Sequence, residues 1–404
     1  DNENWLLDLI LAGFAFSTDL SETYRAELGL PAEFRSFIAE RREFFQNDRD
    51  RFAPLRDLVD PNEETEHSLA LKMISVVTAA TTEERRMPRP FGRVLFALVG
   101  DGFAGRRDRW ETVERFGLDR YFRAELARYV PSPPEDIEPH GAAIALFREV
   151  WELERGGETT STRRNARVLI HEWRDQYGAV TEYTRIVAAV ESALNVTSVI
   201  SSSTVDDLAT QYLFPAIDRE IVMRLVHEVS ADAADLDRIR AVASQRSTSY
   251  WVRNDNAHLA AMYRVLIGFI DVERAVGKAD LSPGTPSEII ERYVRDLCGI
   301  DRLFRTTLAA YAEAGSPGAL QPVIERLEGR YTHTYLQRLA EIWDAGQSDA
   351  ESPIPPEVPR QRRFFTSVVA PYLERGDKVV VIISDALRYE AGMELSEALG
   401  AINR

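Results

Sequence analysis

The sequence has little cysteine and no long apolar stretch, and these shortages exclude several protein classes. Cys298 is the only cysteine among 404 residues, so the chain cannot form an internal disulfide. A single cysteine favours a reducing, cytoplasmic setting. No apolar run approaches the roughly 20 residues that a membrane-spanning helix requires. We therefore expect neither a disulfide-rich secreted protein nor an association with a membrane.

Histidine is also scarce, and its placement disfavours a zinc site built from histidines. No pair has the i, i+4 spacing that puts two imidazoles on one face of a helix. An isolated histidine lacks the ligand count that a metal site requires, so we expect none of them to bind metal within this chain. The six histidines are His67, His140, His171, His227, His258 and His333.

The chain has fewer basic residues than acidic residues. Lysine and arginine number 49 against 65 aspartates and glutamates, which gives a formal net charge of −16. A net negative charge repels polyanions at long range. A nucleic-acid partner would therefore need a local basic patch or a metal.

Two turn-rich stretches divide the chain. Residues 130–139 and 352–359 are rich in proline, and the second has four prolines in eight residues, which excludes a helix or a central strand. Between 142 and 345 one amphipathic helical pattern follows another, without a fixed-period repeat. We predict a helical region at 1–130, an all-helical domain at 140–350 and a further domain beginning at 360–404.

A glycine motif at Gly100, Gly102 and Gly105 fits the spacing G-x-G-x-x-G after an apolar run. This is the fingerprint of a dinucleotide site, but it requires a following helix and a second strand that ends in an acidic residue. Neither pattern follows, and a P-loop sequence is also missing. We therefore interpret 100–105 as a loop between helices, and we disfavour a nucleotide-binding oxidoreductase or NTPase.

The stretch 378–390 has the residue order most typical of chemistry. Its β-branched run predicts a buried strand at 378–384, and 390–399 predicts a helix. Asp385 falls just past the carboxyl end of the strand, where open α/β sheets bind ligands. A carboxylate there can ligate a divalent metal or cap the next helix. Both roles stay open on the residues alone.

The run Val-Val-Ile-Ile-Ser-Asp-Ala-Leu-Arg-Tyr-Glu at 380–390 resembles the opening strand and signature loop of the PglZ family, the alkaline-phosphatase-superfamily member of BREX phage-defence systems. Stretches 30–45 and 364–373 are similar to the helical region of that family. The resemblance implies a mainly α fold that ends in one strand and one helix of a truncated α/β domain. It also implies that Asp385 is a metal ligand and that the nucleophile lies beyond Arg404. It gives no role to Arg388 or Glu390.

The resemblance implies a metal-dependent phosphatase or phosphodiesterase, with a divalent metal, zinc by preference, in the full-length protein. It identifies this sequence as a fragment that is inactive and metal-free by itself. Other BREX proteins, such as the defence methyltransferase, are the implied partners, and DNA or another phosphoester is the implied substrate. The alternative is a helical scaffold, centred on 142–345, that binds proteins of the defence complex without catalysis.

Overall fold

Helices account for the regular structure throughout the part of the chain that the structure describes. The structure, a computed structural model, describes residues 20–177, 180–230, 234–254, 257–347, 355 and 358–402. The mainly α class is therefore confirmed. The chain divides into two units, Asp1–Ile217 and Asp218–Arg404, each with its own internal packing. No helix among the described residues has both the length and the apolar character needed to cross a membrane.

Threonine caps begin several helices of the first unit. The Thr65 side chain accepts a hydrogen bond from the Ser68 amide, and Thr204 does the same for Asp207, so each satisfies a free amide of the first turn. The helices are α1 (Leu20–Glu27), α2 (Arg35–Glu40), α3 (Arg42–Phe45), α4 (Ala53–Leu58), α5 (Glu66–Thr78), α6 (Thr82–Arg85), α7 (Phe91–Phe103), α8 (Asp108–Arg115), α9 (Asp119–Leu126), α10 (Pro139–Glu154), α11 (Ser161–Glu172), α12 (Val180–Ala193), α13 (Val196–Ile200) and α14 (Val205–Ala209).

The core of this unit forms around α5 and α7. Their apolar side chains are buried, and α7 packs against both α5 and α10. The indole of Trp173 also donates a hydrogen bond to the Gly92 carbonyl at 2.9 Å, which ties the end of the α11 region to α7. Buried apolar faces thus hold these helices together, as their sequence periodicity predicts.

Several helices of the second unit are extended by π-helical turns. Tyr293–Leu297 joins α19 to α20, and Arg330–Leu336 joins α21 to α22. The helices are α15 (Pro215–Val229), α16 (Leu236–Arg246), α17 (Tyr250–Asn254), α18 (Ala257–Lys278), α19 (Pro286–Arg292), α20 (Cys298–Glu313), α21 (Gln321–Gly329), α22 (Gln337–Gln347), α23 (Ala370–Glu374) and α24 (Tyr389–Ile402). Further π turns are Asp48–Phe52, Trp173–Tyr177 and Phe365–Val369, and 3₁₀ turns are Ala32–Phe34, Gly318–Leu320 and Gln361–Arg363.

A buried ion pair lies in the interior of the second unit. Arg246 Nε donates to Asp218 Oδ1 at 2.8 Å, and both side chains are fully buried. Ser249 and Tyr263 donate to the same carboxylate at 3.0 and 3.1 Å. A buried charge is tolerated when hydrogen bonds and an opposite charge compensate it, so we assign this cluster a structural role.

The glycine motif lies at the C-terminal end of α7 rather than between helices. Gly100 and Gly102 are within the helix, and only Gly105, with φ +72°, lies beyond it. A Cβ at Gly100 would crowd only the carboxylate of Glu182, the end of a flexible side chain that can shift. The C-terminal end of a helix carries partial negative charge and disfavours phosphate, which argues further against a dinucleotide site.

The expected strand at 378–384 is not formed. These residues have no regular secondary structure, and Val380, Ile382 and Ile383 are 86%, 87% and 90% exposed. A strand needs a neighbouring strand to pair its backbone groups, and none of the described residues forms one. The helix after it is present as α24.

The predicted domain boundaries stay a prediction. Most of the proline-rich stretch at 352–359 lies outside the described residues, and 130–139 leads directly into α10. Within the region predicted to be helical, α14 ends at Ala209 and α15 begins at Pro215. Proline fixes φ and lacks an amide proton, so it suits the first turn of a new helix.

Candidate metal-binding loop

Asp385 lies in an exposed turn between the irregular apolar run and α24. Ala386, the next residue, has φ +56°, a left-handed conformation that is uncommon for a residue with a Cβ. Asp385 makes no hydrogen bond and no ion pair with any described residue. Its carboxylate is therefore exposed and without a partner in the described part of the chain.

The helix-capping role of Asp385 does not fit this geometry. Helix α24 begins at Tyr389, which puts Arg388 at the capping position and Asp385 three residues before it. A capping side chain accepts a hydrogen bond from an amide of the first helical turn, and Asp385 accepts none. The structure therefore does not support the capping role, and the metal-ligand role of Asp385 stays a prediction.

Arg388, which precedes α24, and the first two residues of the helix all contact the region around α20. Arg388 Nη2 lies 3.7 Å from Asp301 Oδ2. The ring centroid of Tyr389 is 6.0 Å from that of Tyr293. Arg305 Nε lies 3.8 Å from Glu390 Oε1, and Arg388 Nε lies 3.0 Å from the same oxygen. Arg388 and Glu390, to which the sequence gave no role, thus join the signature segment to the preceding helices.

Asp301 is the buried centre of these contacts. Tyr293 donates to its Oδ2 at 2.7 Å, and Tyr331 donates to its Oδ1 at 2.9 Å. Burial raises the pKa of Tyr331 to about 12, although the Arg388 guanidinium opposes the rise and the hydrogen bond to Asp301 adds to it. Burial and the hydrogen bond to Asp301 raise the pKa of Tyr293 further. Both phenols therefore remain donors at neutral pH, and the Asp301 carboxylate is held in a fixed orientation.

An acidic stripe on α24 faces two arginines of α20. Glu390, Glu394 and Glu397 share one face of the helix, and Arg305 forms an ion pair with Glu394. Arg302 lies 3.0 Å from Glu397. The hydrogen bond from Arg305 lowers the pKa of the Glu394 carboxyl below its usual 4.5. These ion pairs fix α24 against α20 within the second unit.

A groove of about 1000 Å³ runs along the exposed run. Its lining includes Arg362 and Arg363 from one segment and Val381, Ile382 and Ile383 from the exposed run. The groove therefore combines apolar surface with positive charge, next to the Asp385 turn.

The histidines do not supply a metal site in the described part of the chain. No group of three or more His, Cys, Asp or Glu side chains there could hold a metal ion. His67 pairs with Glu125 at 3.0 Å, and His258 contacts the Glu313 carbonyl at 3.1 Å. Asp385 therefore belongs to no such group among the residues that the structure describes.

Sequence reasoning missed Asp301, Arg305 and Tyr331. They belong to no recognisable sequence motif, and the sequence around them has the pattern of ordinary amphipathic helices. Arg305 and its partner Glu394 are 89 positions apart along the chain, so no local pattern joins them. The one available signal was the Arg-Tyr-Glu sequence at 388–390, because two charged side chains at the start of a helix suggest ion-pair partners elsewhere in the chain.

Comparison with known proteins supports the family resemblance. The family model described as the BREX system PglZ alkaline phosphatase-like domain matches residues 364–404, which include the Asp385 turn and α24. The chain is similar to "Alkaline phosphatase-like protein PglZ" of Bacillus cereus (strain H3081.97), with 23% identity over 98% of the chain and 47% of the relative. It is also similar to "Alkaline phosphatase-like protein BrxZ" of Escherichia coli O9:H4 (strain HS), with 25% identity over 100% of the chain and 49% of the relative.

The chain thus spans about half the length of these curated relatives. No solved structure matches it. The family-model match coincides with the segment whose residues suggested the family.

Proposed function

Since both comparisons support assignment to the PglZ family, we propose that this chain is part of a metal-dependent phosphoester hydrolase of BREX type, in which Asp385 is a metal ligand. The observation that carries the proposal is the carboxylate of Asp385, which lies in an exposed turn inside the family match and which no described residue binds. A polar group that the fold does not use is available for a ligand.

The donor chemistry of the turn fits a divalent cation in part. A carboxylate oxygen is a suitable ligand for zinc or a harder divalent ion, but such ions need several ligands. When bound, the metal would activate a hydroxyl nucleophile and neutralise charge on the phosphoryl group. Asp385 belongs to no group of three or more candidate ligands among the described residues, so in this proposal the other ligands and the nucleophile come from the half of the relatives' length that this chain does not span.

The residues of this chain have separate tasks in the proposal. Asp385 supplies one ligand, and the loop that carries it is fixed at its far side by Arg388. Arg362 and Arg363 line the adjacent groove, where their positive charge suits an anionic phosphoester. This local charge offsets the net charge of −16, which by itself would repel such a substrate.

The test compares a protein that consists of residues 1–404 with a longer protein that has the full length of the relatives. We expect metal-dependent hydrolysis of an aryl phosphodiester or phosphomonoester from the longer chain and none from residues 1–404. Asp385→Asn in the longer chain should abolish turnover, because an amide binds a divalent cation far less well than a carboxylate. Full activity of Asp385→Asn with metal in excess would contradict the ligand role, and hydrolysis by residues 1–404 would contradict the incomplete site.

A binding scaffold is the second candidate, and one surface favours it. An apolar groove of about 340 Å³ lies between α19 and α22, lined by Ile289, Ile290, Tyr293, Leu336, Leu339, Ala340 and Trp343. Exposed apolar grooves of this kind receive partner helices. We propose that other BREX proteins, such as the defence methyltransferase, are the partners, in a cytoplasmic setting. Loss of a co-purifying BREX protein from Trp343→Ala, with hydrolysis intact, would support a scaffold role beside catalysis.

A further inference from the structure

A pocket of about 460 Å³ lies between α5 and the start of α7, within the first unit. Small-molecule sites have volumes of roughly 300–1000 Å³, so this pocket is large enough for one. Apolar side chains form most of its lining, among them Leu71, Ile74 and Val94. Two basic side chains, Lys72 and Arg89, also line it, whereas no acidic side chain among the described residues does. Such a lining suits an apolar ligand that carries a negative charge.

Arg89 brings to this pocket a charge that the fold leaves without an opposite charge. Its Nη1 donates a hydrogen bond to the Ser75 carbonyl at 3.1 Å, and its Nε is buried without a hydrogen-bond partner in the described part of the chain. The neighbouring carboxylate of Glu84 pairs with Arg93 at 3.4 Å instead. Burial lowers the pKa of Arg89 below its ordinary value, although Glu84 opposes the fall. A partly buried cation of this kind is stabilised by a bound anion.

Ser75 supplies a hydroxyl that the fold does not use. Its side chain lies in the middle of α5 and is only 3% exposed, and its Oγ has no hydrogen-bond partner among the described residues. Buried hydroxyls in helices commonly donate back to a carbonyl of the preceding turn, as Thr78 of the same helix does to the Ile74 carbonyl at 2.8 Å. The Ser75 hydroxyl, beside Arg89, therefore remains a donor for a ligand.

The start of α7 also favours negative charge. Pro90 occupies the capping position and makes no side-chain hydrogen bond to the first turn, and both Pro90 and Phe91 line the pocket. The first turn of a helix has free amides and a partial positive charge. Arg89 lies between Pro88 and Pro90, which restrict its backbone, so the segment that presents the guanidinium is rigid.

The charge balance of the pocket indicates a single negative charge on the ligand. Lys72 already forms an ion pair with Glu64, whose side chain is 1% exposed. Arg89 is therefore the basic group of the lining that has no carboxylate partner among the described residues. A carboxylate carries one negative charge at neutral pH, whereas a phosphate monoester carries close to two. A carboxylate also accepts two parallel hydrogen bonds from one guanidinium.

We propose that this pocket binds an organic monocarboxylate with an apolar body. The carboxylate meets Arg89, the Ser75 hydroxyl and the first turn of α7, and the apolar body covers Leu71 and Val94. This binding requires neither Asp385 nor phosphoester hydrolysis, so it goes beyond the proposed function and is tested separately from it.

Octanoate is the probe, with 1-octanol and octylamine as its neutral and cationic analogues. We expect calorimetric titration of residues 1–404 to show one saturable octanoate site with a dissociation constant below about 1 mM, and at least tenfold weaker binding of both analogues. Nuclear Overhauser effects in methyl-labelled protein should join octanoate to Leu71, Ile74 and Val94. Equal affinity for the three compounds, no saturable binding, or contacts at other methyl groups alone would overturn the proposal.

Arg89→Gln tests the charge that recognises the carboxylate. We expect octanoate affinity to fall about tenfold, because a charge-assisted hydrogen bond is lost. The matched control is Arg93→Gln, which removes a neighbouring arginine that pairs with Glu84 and does not line the pocket. Its octanoate affinity should be unchanged. An equal loss in both variants would show a general effect of positive charge and would overturn the role of Arg89.

Ser75→Ala tests the same site even if Arg89→Gln does not fold, because this hydroxyl has no hydrogen bond to lose. We expect octanoate affinity to fall about fivefold, while the thermal unfolding midpoint of the ligand-free chain is unchanged or higher. Thr78→Ala, which removes a paired hydroxyl from the same helix, should lower that midpoint and leave octanoate affinity unchanged. Unchanged affinity in Ser75→Ala, or in a folded Arg89→Gln, would overturn the proposed site.

Discussion

Two apolar runs of the chain have opposite environments. Residues 94–99 lie inside α7, where Leu95 and Val99 are fully buried, whereas 379–383 have no regular structure and are largely exposed. A helix satisfies its own backbone hydrogen bonds and needs only packing partners. The run at 379–383 is made of β-branched residues, which favour strands, and a strand depends on the backbone of a neighbour. Apolar composition alone therefore does not decide burial.

The largest expected effect is a difference in the free energy of unfolding between alanine variants of the two runs. Leu95→Ala should lower the free energy of unfolding by about 2–5 kcal/mol, because it leaves a cavity in a packed core. Ile382→Ala, at an exposed position, should change it by no more than about 0.5 kcal/mol. Urea denaturation of both variants measures the difference. Similar costs for the two substitutions would mean that the 379–383 run is packed in solution.

The helices were predictable from sequence because their signals are local. Thr204 ahead of Asp207 begins α14, and Pro215 begins α15. The turn at Asp385 was also predictable, from the run before it and the helix after it. The absence of the strand at 378–384 was not predictable, since a strand forms only beside a partner strand, which the local sequence pattern does not reveal.

The candidate site shows the same limit of prediction from local sequence pattern. Asp385 stood out because its neighbours carry a family motif. Asp301 did not, because the side chains it meets come from two π turns and from Arg388, far along the chain. The burial of Glu390 was likewise unpredictable, since an isolated glutamate at a helix start reads as a favourable interaction with the helix dipole.

An intermediate effect concerns the contact between α24 and α20. The lowered pKa of Glu394 means that its ion pair stabilises the fold above pH 4.5 and that this contribution is lost as the pH falls through the lowered value. We expect hydrogen exchange of α24, corrected for intrinsic rates, to quicken between pH 7 and pH 3. Glu66–Thr78 is the control segment, because buried apolar side chains hold it. Equal quickening in both segments would point to global unfolding instead.

The smallest expected effect is on stability at Asp385. Asp385→Ala should change the free energy of unfolding by less than about 0.5 kcal/mol, since the side chain is exposed and caps no helix. A capping residue would cost about 1 kcal/mol. Urea denaturation, with Thr65→Ala as a true capping control, distinguishes the two. A loss at Asp385 equal to that at Thr65 would restore the capping role.

The metal content of the protein tests the central claim most directly. Zinc bound per chain, measured by elemental analysis after dialysis, should be near stoichiometric in a chain of the relatives' length and strongly reduced in Asp385→Asn. Asp385→Asn preserves the size of the side chain and removes its charge, so the loss would report the ligand and not the fold. Unchanged zinc content in Asp385→Asn, with the protein folded, would contradict the assignment of Asp385 as a metal ligand.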